Sequence, residues 1–140
     1  MKRNVVMFTL ALALAIGIGI GMIGSQFINA QQQPVTRTIL QQKDLEGSAG
    51  REVILFRAEM VPGGVAGRHY HPGPEISYVL EGVQTLEPDG QPPVTLKAGE
   101  SWYTPAKHIH KAKNTSTTQP WKVITFLVGE KGQPLTTPVQ

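Results

Sequence analysis

Beyond residue 30 the chain falls into short runs of apolar and strand-favouring residues, cut by glycine and proline. Such runs between turns predict strands, whose successive side chains face opposite sides. Thr36–Leu40 holds strand-favouring residues and predicts an edge strand, followed by a loop over 41–50 with Gly47, Ser48 and Gly50. Glu52–Val61 predicts a strand with Val53, Leu55 and Arg57 on one face and Ile54, Phe56 and Ala58 on the other, both largely apolar, so that both are expected to be covered. Pro62-Gly63-Gly64 ends it with turn chemistry. Further strands are predicted over Gly67–His71, Ile76–Glu81, Val83–Glu87, Pro93–Leu96, Ser101–Thr104, His108–Ala112 and Trp121–Val128. Pro88-Asp89-Gly90 predicts a hairpin turn, because Asp and Gly accept positive φ. Residues 129–140 read as a tail draped on the surface. No stretch after Ala30 sustains the period of 3.6 that a helix needs, so the fold expected is an all-β sandwich or barrel.

Residues 1–30 obey a different pattern. Lys2 and Arg3 precede an apolar run from Val5 to Ile23, interrupted by one polar side chain, Thr9. Ser25, Gln26 and Asn29 restore polarity, and Ala30 stands before Gln31-Gln32-Gln33-Pro34. Basic end, apolar middle and a small residue at a cut site are the layout of an export signal. The same run nearly reaches the length of a membrane-spanning helix, and Gly17 and Gly21 give it a small face on which helices can pair. A cleaved signal peptide and a retained anchor helix are therefore both open. Either one sends the domain across the membrane, because the basic flank stays inside. The protein is expected to be exported, periplasmic or secreted, or else anchored to the membrane by this helix; the membrane is a partner only if the segment is retained. The remaining divisions are an N-terminal strand and loop over 31–50, a barrel over 51–130 and a tail over 131–140.

Composition narrows the function. A chain of 140 residues suffices for one domain with one modest core. Its net charge of +3 owes two units to Lys2 and Arg3, which leaves 11 Lys and Arg against 10 Asp and Glu. No basic run suits nucleic acid, and Lys107, Lys111 and Lys113 around His110 read as a solvated face. With no cysteine, disulfides, thiolate ligands and thiol nucleophiles are excluded.

The chemistry lies between Gly63 and Asn114. His69 and His71 fall on the same face of a strand. Glu75 follows Pro72-Gly73-Pro74, placing it on a return strand close to the pair, and His110 can close the site from a third strand. Imidazoles and a carboxylate are the usual ligands of a first-row divalent metal. A surface His-x-His pair alone often has no role, but a glycine frame surrounds this one. Gly63, His69-x-His71, Glu75 and Gly82 are followed by Gly99, Pro105, His110 and Asn114. In spacing and order these resemble the two motifs of the cupin superfamily, over roughly Val53 to Val128. One position departs: Lys107 stands where the family usually has glycine.

The resemblance implies a single antiparallel jelly-roll β-barrel with a pocket at its mouth. It also implies His69, His71, Glu75 and His110 as ligands of a divalent ion, whether Fe, Mn, Ni, Cu or Zn, with positions left open for chemistry. Cupins span enzymes and binding modules, so two functions are carried forward. One is a metal-dependent enzyme similar to quercetin dioxygenase-type monocupins, acting on a small organic molecule, with Glu75 or His108 moving a proton. The other is a non-catalytic module that binds or senses a small ligand. A third reading, favoured by Lys107, is a cupin that binds metal only weakly.

His108, two residues before His110, should share its face in a regular strand, as a proton-transfer group or a rim residue without a role. Tyr78, Trp102, Tyr103 and Phe126 are candidate pocket walls, though aromatic residues on strands more often serve the core. Alternation from Glu75 turns Ser77 and Val79 inward and Tyr78 away. Arg57 reaches solvent or an anionic substrate, solvent being the simpler reading, and Glu81 and Glu100 are simplest as solvated. A homodimer is expected from family habit and from the unpaired edge at Thr36–Leu40.

Overall fold

A computed structural model describes residues 34–140, so the signal or anchor segment lies outside the described residues. Ten strands make up that part. They are β1 (Val35–Asp44), β2 (Arg51–Met60), β3 (Val65–Tyr70), β4 (Glu75–Glu81), β5 (Val83–Pro88), β6 (Val94–Lys97), β7 (Ser101–Thr104), β8 (His110–Lys113), β9 (Trp121–Glu130) and β10 (Thr137–Pro138). No helix among the described residues is long and apolar enough to cross a membrane.

The strands form two five-stranded sheets, in the orders β1-β2-β9-β4-β7 and β10-β3-β8-β5-β6. Every pairing in both is antiparallel. Chain neighbours β3 and β4 lie in different sheets, which is how a jelly roll closes on itself. Alternation builds the core between them. Ile54, Phe56, Ala58 and Met60 of β2 and Trp121, Val123 and Leu127 of β9 meet Leu86, Leu96 and Ala112 from the opposite sheet. Val53, Leu55 and Arg57 take the outer phase and are half-buried, and Arg57 pairs with Glu59 at 2.7 Å instead of entering the core.

Three expectations are corrected. The stretch 41–44 continues β1 and is not loop. Gln41, Gln42, Lys43 and Asp44 are all exposed on an edge strand, held by backbone pairing to β2, so they carry no apolar signature. β8 starts at His110, not His108, because Ala106 and Lys107 form a turn in which His108 N–H donates to Pro105 O at 3.2 Å. Lys107 adopts the left-handed φ of +58°, the conformation glycine supplies without strain, while its side chain stays exposed. Finally, the tail is not loosely draped: β10 pairs with His69 and Tyr70 of β3 and becomes an edge of the second sheet.

Candidate metal centre

His69 near the end of β3 lies directly across from His110, the first residue of β8. His71 is the first residue beyond β3, and Pro72-Gly73-Pro74 then carries the chain to the other sheet, where Glu75 opens β4. This crossing is tight. A Cβ on Gly73 would stand 1.7 Å from the Val128 carbonyl oxygen of β9, and Val128 N–H donates to Pro74 O at 3.1 Å. Glycine at 73 is thus required by space, and it sets the separation of His71 and Glu75.

The three imidazoles converge. Ring centroids are 4.4 Å apart for His69 and His110, 5.1 Å for His69 and His71, and 5.2 Å for His71 and His110. One ring nitrogen of each lies within 4.8 Å of the other two. The Nδ1 atoms are spoken for: His69 Nδ1 meets Gly67 O at 2.6 Å, His71 Nδ1 meets Leu135 O at 2.6 Å, and His110 Nδ1 meets His108 O at 3.1 Å. A carbonyl oxygen only accepts, so each Nδ1 carries the proton, and each Nε2 is left with a lone pair. Backbone carbonyls thereby select the tautomer that binds metal through Nε2.

Electrostatics keep the rings neutral. Burial pushes His71 down to about 3 and His110 down to about 4, and lowers His69 as well. Glu75 goes the other way: burial raises it to about 7, partly offset by Thr104 and by Arg37. Its Oε1 lies 3.5 Å from His71 Nε2, while Oε2 is buried without a hydrogen-bond partner. Three neutral imidazoles with inward lone pairs beside an under-used carboxylate fit a divalent cation. The tight group is the three histidines, with Glu75 at its edge against His71.

These groups line an interior cavity of about 40 Å³, together with Arg37, Ala58, Ala66, Ser77 and Ala112. Ser77 and Val79 are buried and Tyr78 faces out, as alternation predicts. Phe126 also lies on the outer face and walls neither pocket. His108 is not on the inner face of a strand. It lines a neighbouring cleft of about 260 Å³ with Trp102, Tyr103, Pro105 and His110, and its Nε2 is buried without a partner. Lys111 and Lys113 pair with Glu87, as a solvated face should. Asn114 is structural: its side-chain amide donates to Val61 O at 3.1 Å and Gln119 O at 2.8 Å, and its carbonyl accepts Ser116 N–H at 3.1 Å.

Arg37 escaped the reading of the sequence. It sits on β1 opposite Ala58, whose buried side chain faces the cavity. The available signal was phase: Val35 and Arg37 alternate with Thr36 and Thr38, and Val35 packs against the core.

Residues 56–127 match the family described as Cupin domain, just over half of the chain. No curated protein matches significantly. Among solved structures, the fold is similar to that of the DMSP lyase DddQ from Ruegeria pomeroyi, with 21% identity and a TM-score of 0.59, covering 72% of this chain and 50% of that one. This chain thus spans about half the length of that lyase. The polyketide cyclase RemF from Streptomyces resistomycificus has 22% identity and a TM-score of 0.59 over 77% of this chain and 74% of that one. A cupin-like protein from Thermotoga maritima has 21% identity and a TM-score of 0.58 over 75% of each chain.

Proposed function

The chain belongs to the cupin domain family, and from that premise we propose that it is an exported metal-dependent enzyme, of dioxygenase type, acting on a small organic molecule. The observation that carries this reading is the set of three histidines whose Nδ1 atoms are engaged by carbonyls and whose remaining nitrogens face one another. His69, His71 and His110 would hold the ion, with Glu75 as the fourth ligand. A divalent ion there would supply Lewis-acid chemistry.

The residues of the chain do the rest. Carbonyls of Gly67, His108 and Leu135 orient the rings. The burial of His69, His71, Glu75 and His110 strengthens charge interactions among them. Glu75, whose Oε2 is buried and has no other partner, is placed to take or give a proton. His108, in the adjoining cleft, is the second candidate for proton transfer, through its unpartnered Nε2.

Elemental analysis of the full-length protein after reconstitution tests the reading. About one iron, manganese, nickel or copper per chain, lost in a His110→Ala variant, is the expected result; a variant that holds metal as tightly as the parent overturns the assignment of His110. The second reading, a non-catalytic ligand-binding or sensing module, is favoured by the narrowness of the interior cavity. Zinc as the resident ion would support it.

A further inference from the structure

The interior cavity holds one permanent positive charge that the metal centre does not require. Arg37 lines it from β1, and Arg37 is paired in register with Ala58, a side chain too small to fill the space across from it. Among the described residues no carboxylate lies within ion-pair distance of its guanidinium, and no hydrogen bond to it is formed. Glu75 is near enough for each to act on the other's charge, but it does not form a bridge. Arg37 is half-buried and burial acts against its charge, with Glu75 offsetting part of that, so an anion brought against it gains more than it would in open water. Arg57, by contrast, takes the outer phase of β2 and lies in an ion pair with Glu59.

We propose that Arg37 is the anion anchor of this cavity: it holds the carboxylate of a small organic acid whose other polar end lies against the three histidines and Glu75. The guanidinium presents a planar fork of donors matched to a carboxylate, so a bidentate pair is the natural occupant. Charge agrees. A divalent ion with an ionised Glu75 and with Arg37 leaves two positive charges in a low-dielectric cavity, and an anionic ligand neutralises what a neutral one cannot. The small side chains of Ala58, Ala66, Ser77 and Ala112 around the cavity keep that space open. The part of the proposal that faces the histidines rests on the metal-centre reading; the anchor itself does not.

Calorimetric titration of the full-length protein, cobalt-loaded and metal-free, with malonate and with uncharged malonamide separates the two. The loaded parent is expected to bind malonate and not malonamide. Arg37→Gln should lower malonate affinity by about tenfold or more, while cobalt affinity stays equal or rises because a like charge has been removed. Arg37→Lys keeps the charge but loses the fork, and a several-fold loss is expected of it; it serves as the second variant should Arg37→Gln fail to fold. Parent-level malonate affinity in either variant overturns the anchor, as does a parent that ignores malonate or binds malonamide equally well. A parent that takes up no cobalt sinks the metal-centre reading alone, and the metal-free titrations then decide the anchor by the same criterion.

Discussion

The two sheets contribute opposite kinds of group to the cavity. The sheet β10-β3-β8-β5-β6 and the residue just past β3 supply three imidazoles, all neutral and all tied through Nδ1 to a carbonyl. The sheet β1-β2-β9-β4-β7 supplies Arg37 and Glu75, both charge-bearing, neither engaged in an ion pair with the other. One wall is set by hydrogen bonds before any ion arrives. The opposite wall is left electrostatically unfinished, and so has the capacity to respond to whatever enters. A rigid donor set facing a responsive charged wall is a division of labour that a closed structural metal site does not need.

The largest disruption of that division should come from the fixed wall. His71→Ala is expected to weaken metal binding by more than about 100-fold, beyond the cost of losing an outer-shell partner, measured by competition with a chelating dye. Moving the hinge between the walls comes next. In Gly73→Ala the new methyl group meets the Val128 carbonyl, and a loss of about 10–100-fold in metal affinity is expected from the shift it forces on His71 and Glu75. Parent-like affinity in that variant would show that the crossing does not set their separation.

Glu75→Gln sharpens the contrast further. Below pH 7 the carboxyl of the metal-free protein holds its proton, with a pKa of about 7, whereas the histidines near 3 and 4 have already lost theirs. Metal uptake near pH 6 should therefore release about one proton in the parent and almost none in Glu75→Gln. Titrations in buffers of different ionisation enthalpy read this directly.

Stability against pH separates the walls again. His71 and His110 have folded pKa values far below the ordinary 6.5. The unfolded chain therefore binds more protons as pH falls through 6.5 toward 4, and the metal-free fold loses stability in that window. Glu75 has a folded value near 7 against an ordinary 4.5, so its contribution is lost as pH rises from 4.5 to 7. Urea unfolding across pH 4 to 7 should show acid loss in the parent, and a steeper rise toward pH 7 once Glu75→Gln removes the opposing group. The smallest effect lies outside both walls. Lys107→Gly relieves a left-handed φ and should add about 1 kcal/mol of stability with metal affinity unchanged, since the lysine side chain points to solvent.

The pattern of the sequence carried most of the inner wall. Alternation and the Pro-Gly-Pro crossing bring His69, His71, Glu75 and His110 to one place, and β7 and the core face of β2 follow the same logic. What alternation missed lies where backbone and not side chains decides the structure. β1 continues through Gln41–Asp44 because an edge strand needs only a ladder. His108 leaves the strand because a left-handed turn precedes it. β10, which follows two residues after the Leu135 carbonyl that holds His71, is two residues long and has no apolar period to read. Arg37 was legible in phase but hidden by its type, since an arginine on an edge strand ordinarily means solvent.

The three carbonyls that hold the imidazoles belong to Gly67, His108 and Leu135, and none of them offers a side chain to the task. Any amino acid at those three places presents the same oxygen, provided the main chain keeps its path. The aim of the donor nitrogens is therefore insulated from mutational drift at its own supports, and substitutions there can accumulate without retuning the ligands.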